Sequence, residues 1–421
     1  MLILILIHVL ITLTCGLNEI ENQVKLAQQI TDCFFIQNST ESVELECDTV
    51  NVNSSKSKCY SALFEDESMK AGRLKVNELK SGQCRSQTFD TKLAEMFPNL
   101  VTLDISYLGL KVTPQNVDEA IGVSFYFEKL KKLNASHNEI GALGDMFYFT
   151  ANINDIDLSH NNISIVSASS FATNDAVRKI DLSHNSISTV ESLSFEDMGN
   201  LRSIDLSHNF LKTFDLGVFM RNVKLRAIHL ENNRIKQFTY DAYGGIPKFD
   251  TLVFFSAAGN RIENLNENYL QCLGPALKLL DLSWNPLDQL NSSMFDGLNS
   301  LTHLNFSHTN LSQFDFDAFK HPDKMKSIDL SHNHMHTFNL TANFSSLEAL
   351  NLEDNDLRDL KNISNATCPA LSSVGAAFGG LAGLILGGPL GAVAGASAGA
   401  AISGGTSGTV SVVRGIVSKG D

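Results

Sequence analysis

Positive charge is scarce in this sequence. The chain has 32 Lys and Arg residues against 46 Asp and Glu residues, which gives a formal net charge of -14 at pH 7. Such a balance disfavours binding to a phosphate backbone or to an anionic lipid surface. Nucleic acid is therefore not an expected ligand, although a local basic patch could still bind it.

One spacing recurs eleven times between Leu100 and Leu360, with apolar residues at positions 1, 4, 6 and 11 and usually Asn at position 9. Positions 4 and 6 alternate with polar residues, as a half-buried strand requires. Each repeat therefore predicts one short strand, and parallel strands about 4.8 Å apart would form an arc roughly 50 Å long. The repeats begin at Leu100, Leu130, Ile153, Val177, Leu201, Leu225, Leu252, Leu277, Leu301, Met325 and Leu347.

Asparagine at position 9 predicts a structural ladder. Its side-chain amide can bond backbone groups of its own turn and of the neighbouring turn, which stacking would otherwise bury unpaired. Leu108 and Thr309 depart from the pattern, and we expect one to mark an atypical terminal repeat and the other a weakened rung. The asparagines are Asn138, Asn161, Asn185, Asn209, Asn233, Asn260, Asn285, Asn333 and Asn355.

Tryptophan occurs once, whereas phenylalanine occurs 26 times. Many of the phenylalanines fall at two further repeat positions on the return side of each turn, where they would fill the interior. Position 14 holds Val166, Val190, Phe214, Phe238, Leu265, Leu290, Phe314, Phe338 and Leu360, and position 19 holds Phe171, Phe195, Phe219, Tyr243, Phe295 and Phe319.

The N-terminus predicts a secretory signal peptide over residues 1–16, because its apolar run is too short to span a bilayer comfortably. Lys and Arg are missing from its first residues. Eleven Asn-x-Ser/Thr sequons favour the same compartment, the secretory pathway, with a glycosylated product at the cell surface or outside the cell. They lie at Asn38, Asn53, Asn134, Asn162, Asn291, Asn305, Asn310, Asn339, Asn343, Asn362 and Asn365.

Six cysteines remain if Cys15 leaves with the signal peptide. Four of them precede the first repeat and predict a disulfide-stapled cap over residues 17–99. Three pairings are possible, and Cys33 with Cys47 and Cys59 with Cys84 is our choice. Cys272 and Cys368 lie about four repeats apart, beyond the reach of a disulfide, so either can be a free thiol and Cys368 can instead link two chains.

Charge is missing altogether between Lys361 and Arg414. A Gly/Ala-rich segment over 371–413 separates the repeat domain, 100–370, from a short tail, 414–421. Glycine recurs in it at every fourth position, which on a helix makes the stripe by which transmembrane helices approach closely. The glycines are Gly375, Gly379, Gly383, Gly387, Gly391, Gly395 and Gly399.

This glycine stripe predicts a helical membrane segment, because the run from Val374 to Ile402 exceeds the ~20 residues needed to span a bilayer. Two alternatives stay open: a hairpin of two short arms broken at Gly387-Gly388-Pro389, and a flexible tail. Self-association through the stripe would make the protein a homo-oligomer.

Four repeats carry one motif: Asp157-Leu-Ser-His-Asn161, Asp181-Leu-Ser-His-Asn185, Asp205-Leu-Ser-His-Asn209 and Asp329-Leu-Ser-His-Asn333. They resemble the repeats of extracellular leucine-rich repeat proteins, including Toll-like receptor ectodomains and insect adhesion and immune proteins. The resemblance implies an α/β leucine-rich repeat solenoid, or horseshoe, with short parallel strands on the concave face and irregular or short helical segments on the convex side. It also implies recognition of a protein, glycan or microbial partner. The N-terminal cysteine spacing departs from the compact caps of the family, and we expect no Toll-type signalling domain after the repeats.

Histidine recurs at position 8 and aspartate at position 5, yet neither column predicts chemistry. Neighbouring imidazoles would be near enough to share a metal or to repel each other when protonated, but His is frequent at this consensus position. The aspartates are spread one per repeat with no nucleophile or base to focus them, so we expect no enzyme, metal or cofactor. The histidines are His137, His160, His184, His208, His308 and His332, and the aspartates are Asp157, Asp181, Asp205, Asp281 and Asp329.

The polar pattern of the strand face fails in repeats seven and eight. Phe254 points outward beside Leu279, and Trp284 lies at the edge of the next strand. Exposed aromatic groups on a polar face are typical of an interface hot spot, and the alternative is that the 27-residue sixth repeat covers them. A polar rim is expected from Arg226, His229 and Glu231, with Arg202 nearby.

Two functions fit these patterns. The first is a non-enzymatic recognition protein, secreted or membrane-tethered, in innate immunity or cell adhesion. The second is a membrane-inserting protein that self-associates through the glycine stripe, with the repeats as its targeting domain.

Overall fold

The computed structural model describes residues 42–45, 78–81, 100–112, 127–144, 146–147, 150–240, 245–265, 267–339, 342–357, 359–361, 401–404 and 410–413. The chain divides into two compact units, Met1–Ile204 and Asp205–Asp421. Four predicted disulfide cysteines (Cys33, Cys47, Cys59 and Cys84), Cys368, four sequons (Asn38, Asn53, Asn362 and Asn365) and the glycine stripe lie outside the described residues.

The first unit is built on a parallel sheet with one strand from each repeat. Neighbouring strands pair in register along the order β1-β2-β3-β5-β7-β9, and β11 lies at the boundary of the unit. These strands are β1 (Ser42–Leu45), β2 (Glu78–Ser81), β3 (Thr102–Asp104), β5 (Lys132–Asn134), β7 (Asp155–Asp157), β9 (Lys179–Asp181) and β11 (Ser203–Asp205). The repeat pattern predicts β3 onwards, whereas β1 and β2 extend the sheet into residues that the sequence assigned to the cap.

On the opposite side of each turn the first unit has two-residue strands. They pair in parallel as β4 with β6 and β8 with β10, and they are β4 (Lys111–Val112), β6 (Glu139–Ile140), β8 (Ile165–Val166) and β10 (Thr189–Val190). Between the two sides, the rings of Phe147, Phe171 and Phe195 form a buried row, with centroids 5.3 and 6.1 Å apart. The predicted aromatic filling at position 19 is therefore confirmed for Phe171 and Phe195.

The second unit repeats this plan. Its main sheet has the order β13-β15-β16-β17-β18-β20, parallel throughout, and β12 pairs with β14 on the opposite side. The strands are β12 (Thr213–Asp215), β13 (Ala227–His229), β14 (Gln237–Thr239), β15 (Phe254–Ser256), β16 (Leu279–Asp281), β17 (His303–Asn305), β18 (Ser327–Asp329), β19 (Thr337–Asn339), β20 (Ala349–Asn351) and β21 (Asp359–Lys361).

On the return side of the turns, the helical segments of the second unit are short, as the resemblance implies. The described residues hold one short α-helix, α1 (Glu267–Gln271), and four 3-10 turns, Leu216–Phe219, Ser292–Phe295, Phe316–Ala318 and Pro322–Lys324. Three of the 3-10 turns begin after a residue whose side chain accepts a hydrogen bond from the backbone two residues on, namely Asp215, Asn291 and Asp315. Such caps satisfy the N–H groups that a helix start leaves unpaired.

The C-terminal part of the second unit differs from the predicted helix. Two strands, β22 (Ala401–Gly404) and β23 (Val410–Val413), pair antiparallel, and β23 continues the sheet of β19 and β21. The end of the Gly/Ala-rich segment is therefore strand rather than helix. Within the described part of the chain, no helix has the length and apolarity to cross a membrane.

Asparagine forms the ladder that the sequence predicts, as Asn185 illustrates in the first unit. Its Nδ2 donates to the carbonyls of Leu158, Leu182 and Ser183 at 3.0, 3.1 and 3.2 Å, and its Oδ1 accepts from the backbone N–H of Ile163 at 3.0 Å. One buried amide therefore satisfies four backbone groups, two of which belong to the preceding turn. Buried polar groups are stable only when they are paired in this way.

Candidate partner-binding surface

The strands of repeats six to eight bring the predicted binding residues into register. Phe254 in β15 lies opposite Leu279 in β16, and on its other side it lies opposite Ala227 in β13. Both Phe254 and Leu279 are half-buried, so each keeps part of its side chain accessible to solvent. The predicted adjacency of these two side chains is confirmed, while their role in binding stays a prediction.

His229 joins Phe254 to a carboxylate. The two rings stack with centroids 4.5 Å apart and an interplanar angle of 29°. Nδ1 of His229 lies 3.2 Å from Oε1 of Glu231. The other carboxylate oxygen of Glu231, Oε2, is buried and has no hydrogen-bond partner among the described residues. We call His229, Glu231, Phe254 and Leu279 the strand-face patch.

Trp284 belongs to a different row of side chains. It follows β16 in the left-handed conformation, with φ of 56°, and it is 61% exposed. Its indole ring stacks on the imidazole of His308, with centroids 3.7 Å apart and an interplanar angle of 15°. The sixth repeat therefore does not cover Trp284, and the indole offers its own exposed surface beside the patch.

Arg226 supports the patch through its backbone. Its carbonyl accepts the N–H groups of Val253 and Phe254 at 2.8 and 3.0 Å, which fixes the start of β15 beside β13. Its side chain is exposed, and it can serve as a charged rim for the patch.

Position 8 of the repeats adopts a left-handed backbone, which the sequence pattern did not reveal. Neighbouring rings at this position stack: Tyr107 on His137, His137 on His160 and His160 on His184, each with centroids 4.2 Å apart. The non-glycine residues with this conformation at position 8 are Tyr107, His137, His160, His184, His208, Asn232, Trp284, His308, His332 and Asp354, all with φ between 53° and 59°.

Burial and a neighbouring imidazole lower the pKa of two histidines in this row. Burial lowers the pKa of His137, the neighbouring His160 lowers it further, and Asp157 raises it. Burial and then His332 lower the pKa of His308. Charged imidazoles in such a row repel each other, so the neutral form is favoured. No group of three or more His, Cys, Asp or Glu side chains suited to a metal ion occurs in the part of the chain that the structure describes.

The aspartate column closes turns. Oδ1 of Asp157 accepts hydrogen bonds from the N–H and the hydroxyl of Ser159, at 3.0 and 2.7 Å. Asp181, Asp281 and Asp329 bond their own serines in the same way. A structural role therefore accounts for these carboxylates. Asn134 and Asn305, which are sequon residues, occupy the same position and make the same bonds to Ser136 and Ser307.

Comparison with known proteins agrees with this geometry. A model of the family described as leucine rich repeat matches residues 128–187, 175–235 and 275–335. Toll-like receptor 4 of Pongo pygmaeus is 38% identical over 87 residues, which are 20% of this chain and 10% of that receptor. The match thus spans a tenth of the length of this curated relative.

Solved structures resemble the chain over most of its length. The leucine-rich repeat domain of APL1B is 21% identical and matches with a TM-score of 0.53, over 72% of this chain and 81% of that one. The LRIM1/APL1C complex gives 18% identity and a TM-score of 0.57, over 80% and 62% of the two chains. The Toll–Spatzle complex, a hub in Drosophila development and innate immunity, gives 20% identity and a TM-score of 0.58, over 78% and 44%. At these identities the likeness concerns the fold.

Proposed function

We propose that this chain, whose repeats are leucine-rich repeats stacked as a leucine-rich repeat solenoid, is a non-enzymatic binding protein of innate immunity. The solved structures that it resembles include the complex of Toll with Spatzle and that of LRIM1 with APL1C, in which repeat chains bind proteins. A protein partner is accordingly the occupant that we propose for the strand-face patch.

The observation that carries this proposal is the contact of Phe254, His229 and Glu231. Interface centres combine a desolvated aromatic anchor with polar groups that gain a partner on binding. Phe254 supplies the anchor, and Oε2 of Glu231 is an acceptor without a donor. The Glu231 side chain is 22% exposed, so a small rotation of its carboxylate would bring Oε2 to the surface. A partner that inserts an apolar side chain beside Phe254 and points a Lys, Arg or backbone N–H at that carboxylate would then satisfy both. The net charge of -14 also favours a basic partner, because surfaces of opposite charge attract each other.

Glycans would restrict the approach to this surface. Asn134 and Asn305 lie in main-sheet strands, so a glycan on either one would obstruct the strand face near it and leave repeats five to eight as the open region. Asn162, Asn291, Asn310 and Asn343 are exposed. Glycosylation and passage through the secretory pathway, with a product outside the cell or at its surface, are part of the proposal.

The test is a binding screen of the purified full-length chain against a panel of secreted proteins, followed by substitution. We expect Phe254→Asp to raise the dissociation constant of a true partner about 100-fold, because the loss of an interface anchor has an effect of this size. Glu231→Gln, which keeps the shape of the side chain, should raise the dissociation constant about tenfold. Val223→Asp is the matched control, since Val223 is 65% exposed in the same unit. A partner whose affinity survives both patch variants, each with an unchanged melting temperature, would contradict the proposal.

A further inference from the structure

A surface pocket of about 520 Å³ lies on repeats five to seven of the second unit, and none of its lining residues belongs to the strand-face patch. It is lined by Lys212, Thr213, Arg234, Lys236, Gln237 and Arg261. Four of these six side chains are cationic, although the chain as a whole has a net charge of -14. All six are exposed, so the pocket is open to a ligand from solvent.

Stacking of the turns arranges the four cations in two rows. The N–H of Lys236 donates to the carbonyl of Lys212 at 2.9 Å, and Thr213 in β12 lies opposite Gln237 in β14. Lys212 and Lys236 therefore occupy equivalent positions of adjacent turns, about 4.8 Å apart along the stack.

The two arginines form the second row. The N–H of Arg261 donates to the carbonyl of Ile235 at 2.9 Å, next to Arg234. The arginines precede the lysine position by two residues in each turn, which is about 6–7 Å of extended chain. Four positive charges are thus concentrated on one small area.

None of the ion pairs found among the described residues involves any of the four cations, although Glu263 lies about one strand spacing from Lys236 along the stack. The guanidinium of Arg234 lies over the ring of Phe210, 4.4 Å from its centroid, which orients it while leaving its edge N–H groups free to donate. In repeat seven, which also holds Arg261, Glu263 takes the position of the two lysines, so the lysine row ends at Lys236.

We propose that this pocket binds a compact polyanion, a saccharide that carries phosphate or sulfate ester groups. Arginine donates two parallel hydrogen bonds to such groups, and lysine adds compact charge. Thr213 and Gln237 offer neutral polar groups suited to sugar hydroxyls. The volume lies within the range of small-molecule sites. An extended phosphodiester strand is disfavoured, because the basic area is bounded by Glu263 and the rest of the chain is acidic. This site is independent of the strand-face patch.

The test uses full-length protein and calorimetry with four probes: a sulfated disaccharide from heparin, the same disaccharide without sulfate, inorganic phosphate, and a single-stranded oligonucleotide of equal charge. We expect the sulfated disaccharide to bind, the unsulfated one not to bind, and free phosphate to bind more weakly. Raising the salt concentration should weaken the binding.

Substitution distinguishes this pocket from charge in general. The double variant Lys212→Gln/Lys236→Gln should lower the affinity for the sulfated disaccharide at least about tenfold, which is the equivalent of one charge-assisted hydrogen bond. The matched control, Lys248→Gln/Lys278→Gln, removes the same charge from exposed lysines of the same unit and should leave the affinity unchanged. The proposal is overturned by no binding of the sulfated disaccharide, by equal loss in both double variants, or by tighter binding of the oligonucleotide through the same lysines. The last result would assign the pocket to nucleic acid.

Discussion

The hydroxyl of Thr309 donates a hydrogen bond to Oδ1 of Asn333, the asparagine of the next turn. The same oxygen accepts the backbone N–H of Leu311 at 3.1 Å. Thr309 thus keeps contact with its neighbour, but it has no amide with which to reach the preceding turn. Asn333 makes that contact through Nδ2, which donates to the carbonyl of Phe306 at 2.8 Å. The rung at Thr309 has lost its bonds in one direction only.

Replacing Thr309 with Asn should therefore strengthen the ladder. The new amide would bond the preceding turn, and we expect the free energy of unfolding to rise by about 1 kcal/mol, the net value of a buried hydrogen bond. Urea denaturation measures the change. Asn333→Thr, which makes the opposite replacement in the next turn, is the control and should lower the free energy of unfolding. A less stable Thr309→Asn variant would show that this turn has no room for the amide.

Asn185→Ala should destabilise the first unit by about 2–4 kcal/mol, because it leaves several buried backbone groups without partners. The measurement is the midpoint of thermal or urea unfolding. Ser192→Ala, at an exposed position of the same unit, is the control and should change little. A cost below that of a surface substitution would mean that water replaces the amide in this rung.

Titration of His137 should occur below its ordinary pKa of 6.5, because burial and the stacked His160 both disfavour the charged ring. A histidine whose pKa is lowered in the folded chain contributes stability above the unfolded value and loses it as the pH falls through the folded value. NMR of the imidazole protons reports the midpoint. His160→Asn should raise it, since Asn tolerates the left-handed backbone and carries no charge. A midpoint at or above 6.5 would contradict the prediction.

Cys272 should resist alkylation in the folded protein. It is buried, its thiol donates to the carbonyl of Tyr269 at 3.0 Å, and burial raises its pKa from 9.0 to about 12. The reactive thiolate is therefore negligible at pH 8. Mass spectrometry after treatment with iodoacetamide should find Cys272 unlabelled in the native chain and labelled in guanidinium. Rapid native labelling would disprove the burial.

The raised pKa of Cys272 also makes stability depend on pH. Its contribution to the free energy of unfolding is present below pH 9 and is lost as the pH rises toward 12.

The binding surface was only partly predictable. Phe254 and Leu279 could be placed side by side because both occupy position 3 of consecutive repeats, and register follows from the spacing. The stack of His229 on Phe254 joins positions 5 and 3 of consecutive repeats. The repeat spacing does not specify the direction in which a side chain tilts along its strand, so this contact could not be predicted. Trp284 looked like a member of the same patch, yet its left-handed backbone turns it toward His308.

The sequence alone determined the eleven repeat strands, the asparagine ladder and the aromatic filling. Each of these depends on which side chains a single turn must bury, and the same residue types recur at the same positions about every 24 residues in the sequence. The tertiary structure decided what adjacent turns share: the two early strands β1 and β2, the stacked rings at position 8, and the basic pocket. Lys212 and Arg261 are 49 residues apart in the sequence, and only the register between turns brings their charges together.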